Sequence, residues 1–233
     1  MGLLGSGAVA IWHDIVSEGR AIFYGWHGEE HMPERAAVPG FLRGRRYLAL
    51  QGAPEFFNLY ETAGTDVLSG PDYLERLNHP TPRTRAAVAH FRNVARSLCD
   101  VAASHGRGDG GLIATLRYDV APDRAAGHRA VMQSRVAALA GEPGVAGAHF
   151  LVTDLAASGV ETAERRARAS ATDTPGAVVL LEWWGDCDGL RERCAALVQD
   201  GAFAAAAAPP ELGIYRLQNA CARHDPGAPS GRS

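Results

Sequence analysis

The feature that most constrains this 233-residue chain is that it repeats itself. Ile11-Trp-His-Asp-Ile15 recurs as Leu116-Arg-Tyr-Asp-Val120, Pro39-Gly40 recurs as Pro143-Gly144, and Tyr60-Glu61 falls where Leu181-Glu182 falls. Residue matches at matching places in a chain mean two copies of one supersecondary unit, each with an apolar face that the other must cover.

Hydrophobic periodicity defines that unit. Residues 8–15 read as a strand by their branched and aromatic content. Residues 21–37 read as a helix, with Phe23, Trp26, His27, Glu30, His31 and Glu34 at intervals of three and four and Pro39-Gly40 closing it. Strands over 41–50 and 55–61 meet at Gly52-Ala-Pro54 as a hairpin. A short helix over 71–77, a longer one over 83–94 and a strand over 95–103 complete a strand, helix, strand, strand, helix, strand order, the ferredoxin-like pattern. The second copy is expected as strands over 112–120, 145–153, 177–184 and 211–221, with helices over 127–140 and 189–198.

The organisation this predicts is a first ferredoxin-like half over 1–105, a linker over 106–111, a second, degenerate half over 112–222 and a disordered tail over 223–233. The fold class is α+β: two tandem ferredoxin-like halves packed sheet to sheet as an intrachain α/β barrel. A sheet with both helices on one side leaves its other face bare, so the space between the two sheets is the expected pocket.

Composition excludes several functions. A net charge of −3 with interspersed signs makes no basic field for nucleic acid. The apolar runs are too short to span a bilayer, and the first fifteen residues have no positive n-region, so a cytoplasmic protein is expected, with no membrane partner. Cysteines 99, 187, 194 and 221 form no Cys-x-x-Cys pair and read as reduced thiols. Phosphate-binding glycine loops and a Gly-x-Ser-x-Gly elbow are absent.

Trp26-His-Gly-Glu-Glu-His-Met-Pro-Glu-Arg35, followed by residues 38–47 and Phe57-Asn-Leu-Tyr-Glu61, resembles the dimeric α/β barrel superfamily. Within it the stretch is similar to the stress-responsive, antibiotic-biosynthesis monooxygenase and EthD-like groups. The resemblance covers most of the first half and continues in the second as element order and a few anchor positions, as in tandem-fused members. It implies a barrel interior used as an active site. Such proteins include cofactor-free oxygenases, lyases, isomerases and haem enzymes, so the resemblance leaves the reaction open.

Several side chains are candidates for chemistry. His27 and His31 share a helix face, suited to moving a proton or holding a metal, with a structural pair as the alternative. Trp12 and Asp14 share one face of the first strand, opposite Ile11, His13 and Ile15, and Arg117 occupies the matching place in the repeat. Arg43, Arg45 and Tyr47 share a face, with Arg46 on the other; an interior arginine needs an anionic partner such as Glu61 or a substrate carboxylate. Asn58 and Tyr60 lie together on the third strand, His79 sits in a proline-restricted loop, and one of Trp183 and Trp184, taken as Trp184, lines the cavity.

The function expected is an enzyme, monomeric or homodimeric, acting on an apolar or aromatic, acidic small molecule. His27 and His31 are its catalytic residues, assisted by Asp14 and Tyr60, with Trp12, Arg43, Arg46, Asn58, His79, Arg117 and Trp184 binding substrate. A cofactor-independent oxygenase, a lyase and an isomerase need the same minimum. No cofactor is predicted. The alternatives are a non-catalytic binding or stress protein, a divalent metal site, and haem held by His128 or His149.

Overall fold

The computed structural model describes residues 2–168 and 171–223; the tail expected to be disordered lies, from residue 224, outside the described residues. The first half runs β1 (Gly7–Ile15), α1 (Arg20–Trp26), a π-helical turn (His27–His31), α2 (Met32–Ala37), β2 (Phe41–Gln51), β3 (Phe56–Thr62), α3 (Pro71–Asn78), α4 (Pro82–Val88) and β4 (Phe91–Gly106). The second runs β5 (Leu112–Tyr118), α5 (Ala125–Leu139), β6 (Val145–Thr153), α6 (Leu155–Gly159), α7 (Ala163–Arg166), a short β7 (Thr172–Asp173), β8 (Ala177–Trp183), α8 (Cys187–Gln199) and β9 (Glu211–Ala222).

The helix expected over 83–94 ends at Val88 because β1 needs a second neighbour. The β1 ladder takes up Phe91 opposite Ile15 and Arg92 opposite Asp14, so β4 begins four residues earlier than its composition suggests. The eight long strands follow the closed order β1-β3-β2-β9-β5-β8-β6-β4 and back to β1, every pair antiparallel, with β7 added to β4 in parallel. Each half contributes four adjacent strands, and the joints are β2 with β9 and β4 with β6. The architecture is the tandem ferredoxin-like barrel that the repeat predicts.

Closure decides what the interior can hold. An eight-stranded barrel is just wide enough for side chains to fill it. Here Trp12, Tyr47, Phe57, Leu59, Ile113, Leu180 and Tyr215 fill it completely, all without solvent exposure. The middle of the expected inter-sheet pocket is therefore packed core.

One end of the barrel is sealed by charge. Glu61 on β3 and its repeat counterpart Glu182 on β8 approach the Arg45 guanidinium at 3.1 and 3.0 Å, and all three are buried. Arg43 adds a 2.8 Å contact to Glu61. Burial alone would raise the Glu182 carboxyl, but its hydrogen bond to His149 and the Arg45 charge hold it at about 2. The residues before β1 and the linker cap this end alike: Leu4 N donates to Glu61 at 2.8 Å and Gly110 N to Glu182 at 2.9 Å. Among the described residues, no helix is long and apolar enough to cross a membrane.

Removing Arg45 leaves two buried carboxylates without their shared cation. Arg45→Met is expected to cost about 3–5 kcal/mol in urea unfolding at pH 7. Arg129→Met, which breaks the half-exposed pair with Asp100, should cost only about 0–1 kcal/mol in the same measurement.

Candidate active site between the first sheet and its helices

Pro33 shapes the site. It has no N–H to donate to the carbonyl four residues back, and the helix takes a π turn over His27–His31, where Met32 N reaches back to the His27 carbonyl. The wider turn puts Trp26, His27, His31, Met32 and Arg35 all on the buried side. This side packs on the outer face of the first sheet, where β1 presents His13, β3 presents Asn58 and Tyr60, and β2 presents Arg46.

These side chains converge. Tyr60 Oη lies 3.3 Å from His27 Nε2, and Arg46 Nη1 lies 3.3 Å from His27 Nδ1. Because the guanidinium can only donate, His27 accepts at Nδ1 and carries its proton on Nε2, directed at Tyr60. Asn58 Nδ2 is 3.0 Å from His13 Nε2. The His31 ring packs 4.3 Å from Trp26 and 5.4 Å from His27, centroid to centroid. Between them lies a void of about 20 Å³, room for a single water, with Ile11, Val88 and Phe91 as apolar walls.

The electrostatics follow from burial. Burial lowers His13 to about 3, with Arg168 and Arg46 adding to the effect and a backbone hydrogen bond opposing it. His27 is held well below its ordinary value by burial, then by His31 and Arg46; His31 is held there by burial, then by Arg35 and Arg168. All three rings are neutral at pH 7, and burial pushes the Tyr60 hydroxyl up. Several buried atoms here have no hydrogen-bond partner: His13 Nδ1, His31 Nδ1, Asn58 Oδ1, Arg46 Nε and Arg168 Nε. Unsatisfied buried polar atoms are rare in folded proteins; others lie inside the packed barrel, at Arg45, Tyr47 and Tyr215 among them, but those of His13, His31, Asn58 and Arg168 belong to residues that border a void.

The predicted site residues are thus divided. His27, His31, Asn58, Tyr60 and Arg46 meet, but on the helix side of the sheet rather than inside the barrel, because the barrel interior is full. Trp12 and Arg117 do point inward, the guanidinium 5.0 Å over the indole ring. Asp14 lies at the barrel mouth, beside a cavity of about 590 Å³ that Arg117 also borders, and accepts hydrogen bonds from Glu55 N and Asn93 Nδ2. Arg43 belongs to the charged seal at the opposite end. His79 is on the surface beside Glu75, and Trp184, beyond the end of β8, is 69% exposed. Sequence reasoning missed His13 and Arg168 as site residues. His13 carried a signal, a histidine alternating with isoleucines; Arg168 carried none.

The residues present do not fit a haem. In the second half a groove of about 370 Å³ runs beside α5, but His128 at its edge shares its Nε2 with Tyr118 Oη at 2.8 Å. His149 lies inside the packed barrel between Ser104 and Glu182. Nor do they fit a divalent metal: among the described residues no three His, Cys, Asp or Glu side chains are grouped to hold one, and Glu30 is engaged by Thr81 and Arg83.

Neutral burial of three histidines has a sign. Below pH 6.5 the unfolded chain takes up protons that the folded chain refuses, down to about pH 3 at His13, so stability falls on acidification through this range. Each such histidine contributes a slope of up to about 1.4 kcal/mol per pH unit. Urea unfolding between pH 4 and 8 is expected to show this acid limb, and His13→Phe to make it shallower.

No family model matches the chain, and no curated protein matches it in sequence. Solved structures do match in shape. An anthrone oxidase-like protein superposes with a TM-score of 0.66 at 13% identity, covering 94% of this chain and 93% of that one. A provisionally assigned monooxygenase from Fusobacterium nucleatum superposes at 0.59 and 10% identity, over 95% and 96%. Chlorite dismutase from Candidatus Nitrospira defluvii, in complex with imidazole, superposes at 0.52 and 11%, over 91% of each chain. The chain therefore has the tandem ferredoxin-like barrel fold shared by monooxygenase-like and chlorite dismutase-like proteins.

Proposed function

We propose that the pocket between the first sheet and its helices binds an apolar, acidic small molecule and that His31 removes a proton from it. The observation that carries this reading is the set of unpartnered buried atoms, His31 Nδ1 foremost, around one void with apolar walls. His31 is neutral at pH 7 and its Nδ1 has no hydrogen-bond partner, the Glu34 carboxylate standing 4.0 Å away, whereas both His27 nitrogens are engaged by Arg46 and Tyr60. His27 therefore orients Tyr60, and Asn58 and Tyr60 position the substrate oxygen.

A cofactor-independent oxygenase needs little more than this. Proton removal yields an electron-rich anion that can reduce dioxygen directly, and an apolar enclosure keeps water from returning the proton. An isomerase or lyase would use the same first step. Likeness to an anthrone oxidase-like fold selects anthrone as the first substrate to try, since its acidic methylene gives an oxygen-reactive anion.

Dioxygen uptake with anthrone in an oxygen electrode is the test. The wild-type protein is expected to exceed the buffer rate, and His31→Gln to lower its rate constant by on the order of 10²–10⁴-fold. Saturable binding of anthrone with no uptake and no other product would make the protein a binding module and refute the catalytic role of His31.

A further inference from the structure

The wall that closes the histidine void comes from the other half of the chain. Between β6 and β8 the backbone leaves the second sheet and crosses to the helices of the first as α6 and α7. It is fastened there by Leu98 N donating to Ser158 Oγ at 2.9 Å, Ala163 N to Asn78 Oδ1 at 3.3 Å and Arg35 Nη2 to Glu164 Oε2 at 2.6 Å. This excursion carries Glu164 and Arg168 to the edge of the void, facing His13 and His31.

Arg168 is incompletely satisfied. Its side chain is 6% exposed, its Nη2 meets Glu164 Oε1 at 3.0 Å, and its Nε is buried without a hydrogen-bond partner. The Glu164 carboxylate is shared with Arg35, which also contacts Glu34 at 3.4 Å. On the sheet side Arg46 packs over Tyr24 and donates to His27, without a carboxylate beside it. Of the charged side chains, Arg168 and Glu164 border the void itself, and the Glu164 carboxylate is divided between Arg168 and Arg35, so Arg168 has no carboxylate of its own. A buried cation without a full counter-charge is costly, and an anion entering the void would relieve it. Burial lowers both Arg46 and Arg168, in keeping with this shortage.

We infer that Arg168 forms an anion subsite in this pocket, its free Nε edge pairing with the oxyanion of an ionised phenol or enol. The inference rests on the pocket reading above, because that oxyanion is what proton transfer to His31 leaves behind. It assigns the second half a part in the first half's site, because the excursion brings Glu164 and Arg168 to the edge of the void.

The test uses 4-nitrophenol, whose ionised form absorbs in the visible, titrated against the full chain at a pH where the free probe is mostly protonated. The wild-type protein is expected to bind it saturably with a gain in nitrophenolate absorbance. Arg168→Met should lose that gain and bind the anion at least about tenfold more weakly, the loss expected for a charged hydrogen bond. His31→Gln should abolish anthrone turnover yet keep the bound nitrophenolate, so failure of catalysis and failure of the subsite are read separately. If Arg168→Met does not fold by circular dichroism, Arg168→Lys decides. It keeps the charge but has no Nε edge, and weaker binding is expected. Wild-type affinity and absorbance gain in either variant, or a wild-type protein that takes up no nitrophenolate, would overturn the subsite.

Discussion

Arg45 lies between Glu61 and Glu182, and much of the structure follows from that meeting. The two carboxylates occupy equivalent places in the two copies of the repeat, and they reach one guanidinium because equivalent strands stand at the same level around the barrel. A repeat closed on itself in this way brings Glu61 near its own counterpart, Glu182. Symmetry then becomes a liability. The ladders put His149 where Arg45 has its equivalent, and Arg117 where Trp12 has its own. Two arginines at the first pair would place like charges together, and two tryptophans at the second would overfill the axis. The second half differs from the first at both of these places.

Filling the barrel leaves the candidate site outside it. With Trp12, Tyr47, Phe57 and Tyr215 occupying the interior, the remaining places for a buried ligand lie between sheet and helices or at the barrel mouth. The two halves treat their helix-facing surfaces differently. His13, Asn58 and Tyr60 in the first half correspond to Tyr118, Val179 and Leu181 in the second. The second half buries its set as apolar core around Met132, Val136 and Phe150, with Tyr118 satisfied by His128. The first half keeps a polar set that its own residues do not satisfy. The second half nevertheless contributes to that site through the α6–α7 excursion, and fusion into one chain fixes which half covers and which is covered.

Much of this was legible in the sequence. The repeat announced two ferredoxin-like units, and alternation correctly grouped Trp12 with Asp14, Arg43 with Arg45 and Tyr47, and Asn58 with Tyr60. The placement of His27 and His31 on one helix face also followed from spacing, whereas their burial and the π turn behind it depend on Pro33 and the packing around it. Glu61 was legible as a partner for an interior arginine, because a buried guanidinium requires a carboxylate.

Alternation tells which residues share a face but not which face looks inward, and there the reading of the pocket went astray. Trp12 and Arg117 look into the barrel as expected, but Asn58, Tyr60 and Arg46 lie on the helix side with His27. Closure of eight strands made that space solid, and the helices of the first half cover histidines, an asparagine and an arginine instead. The start of β4 was set by the unpaired edge of β1, a long-range demand that overrode local helix preference. Arg168 lies far along the chain from His13 and His31, and nothing in its neighbourhood marks it. By itself the sequence determined the repeat, the strand faces and the helix that carries the histidines, because these rest on local periodicity. Only the tertiary structure decided which face became the candidate site and which distant arginine borders it, because those depend on how a doubled sheet closes around its own side chains.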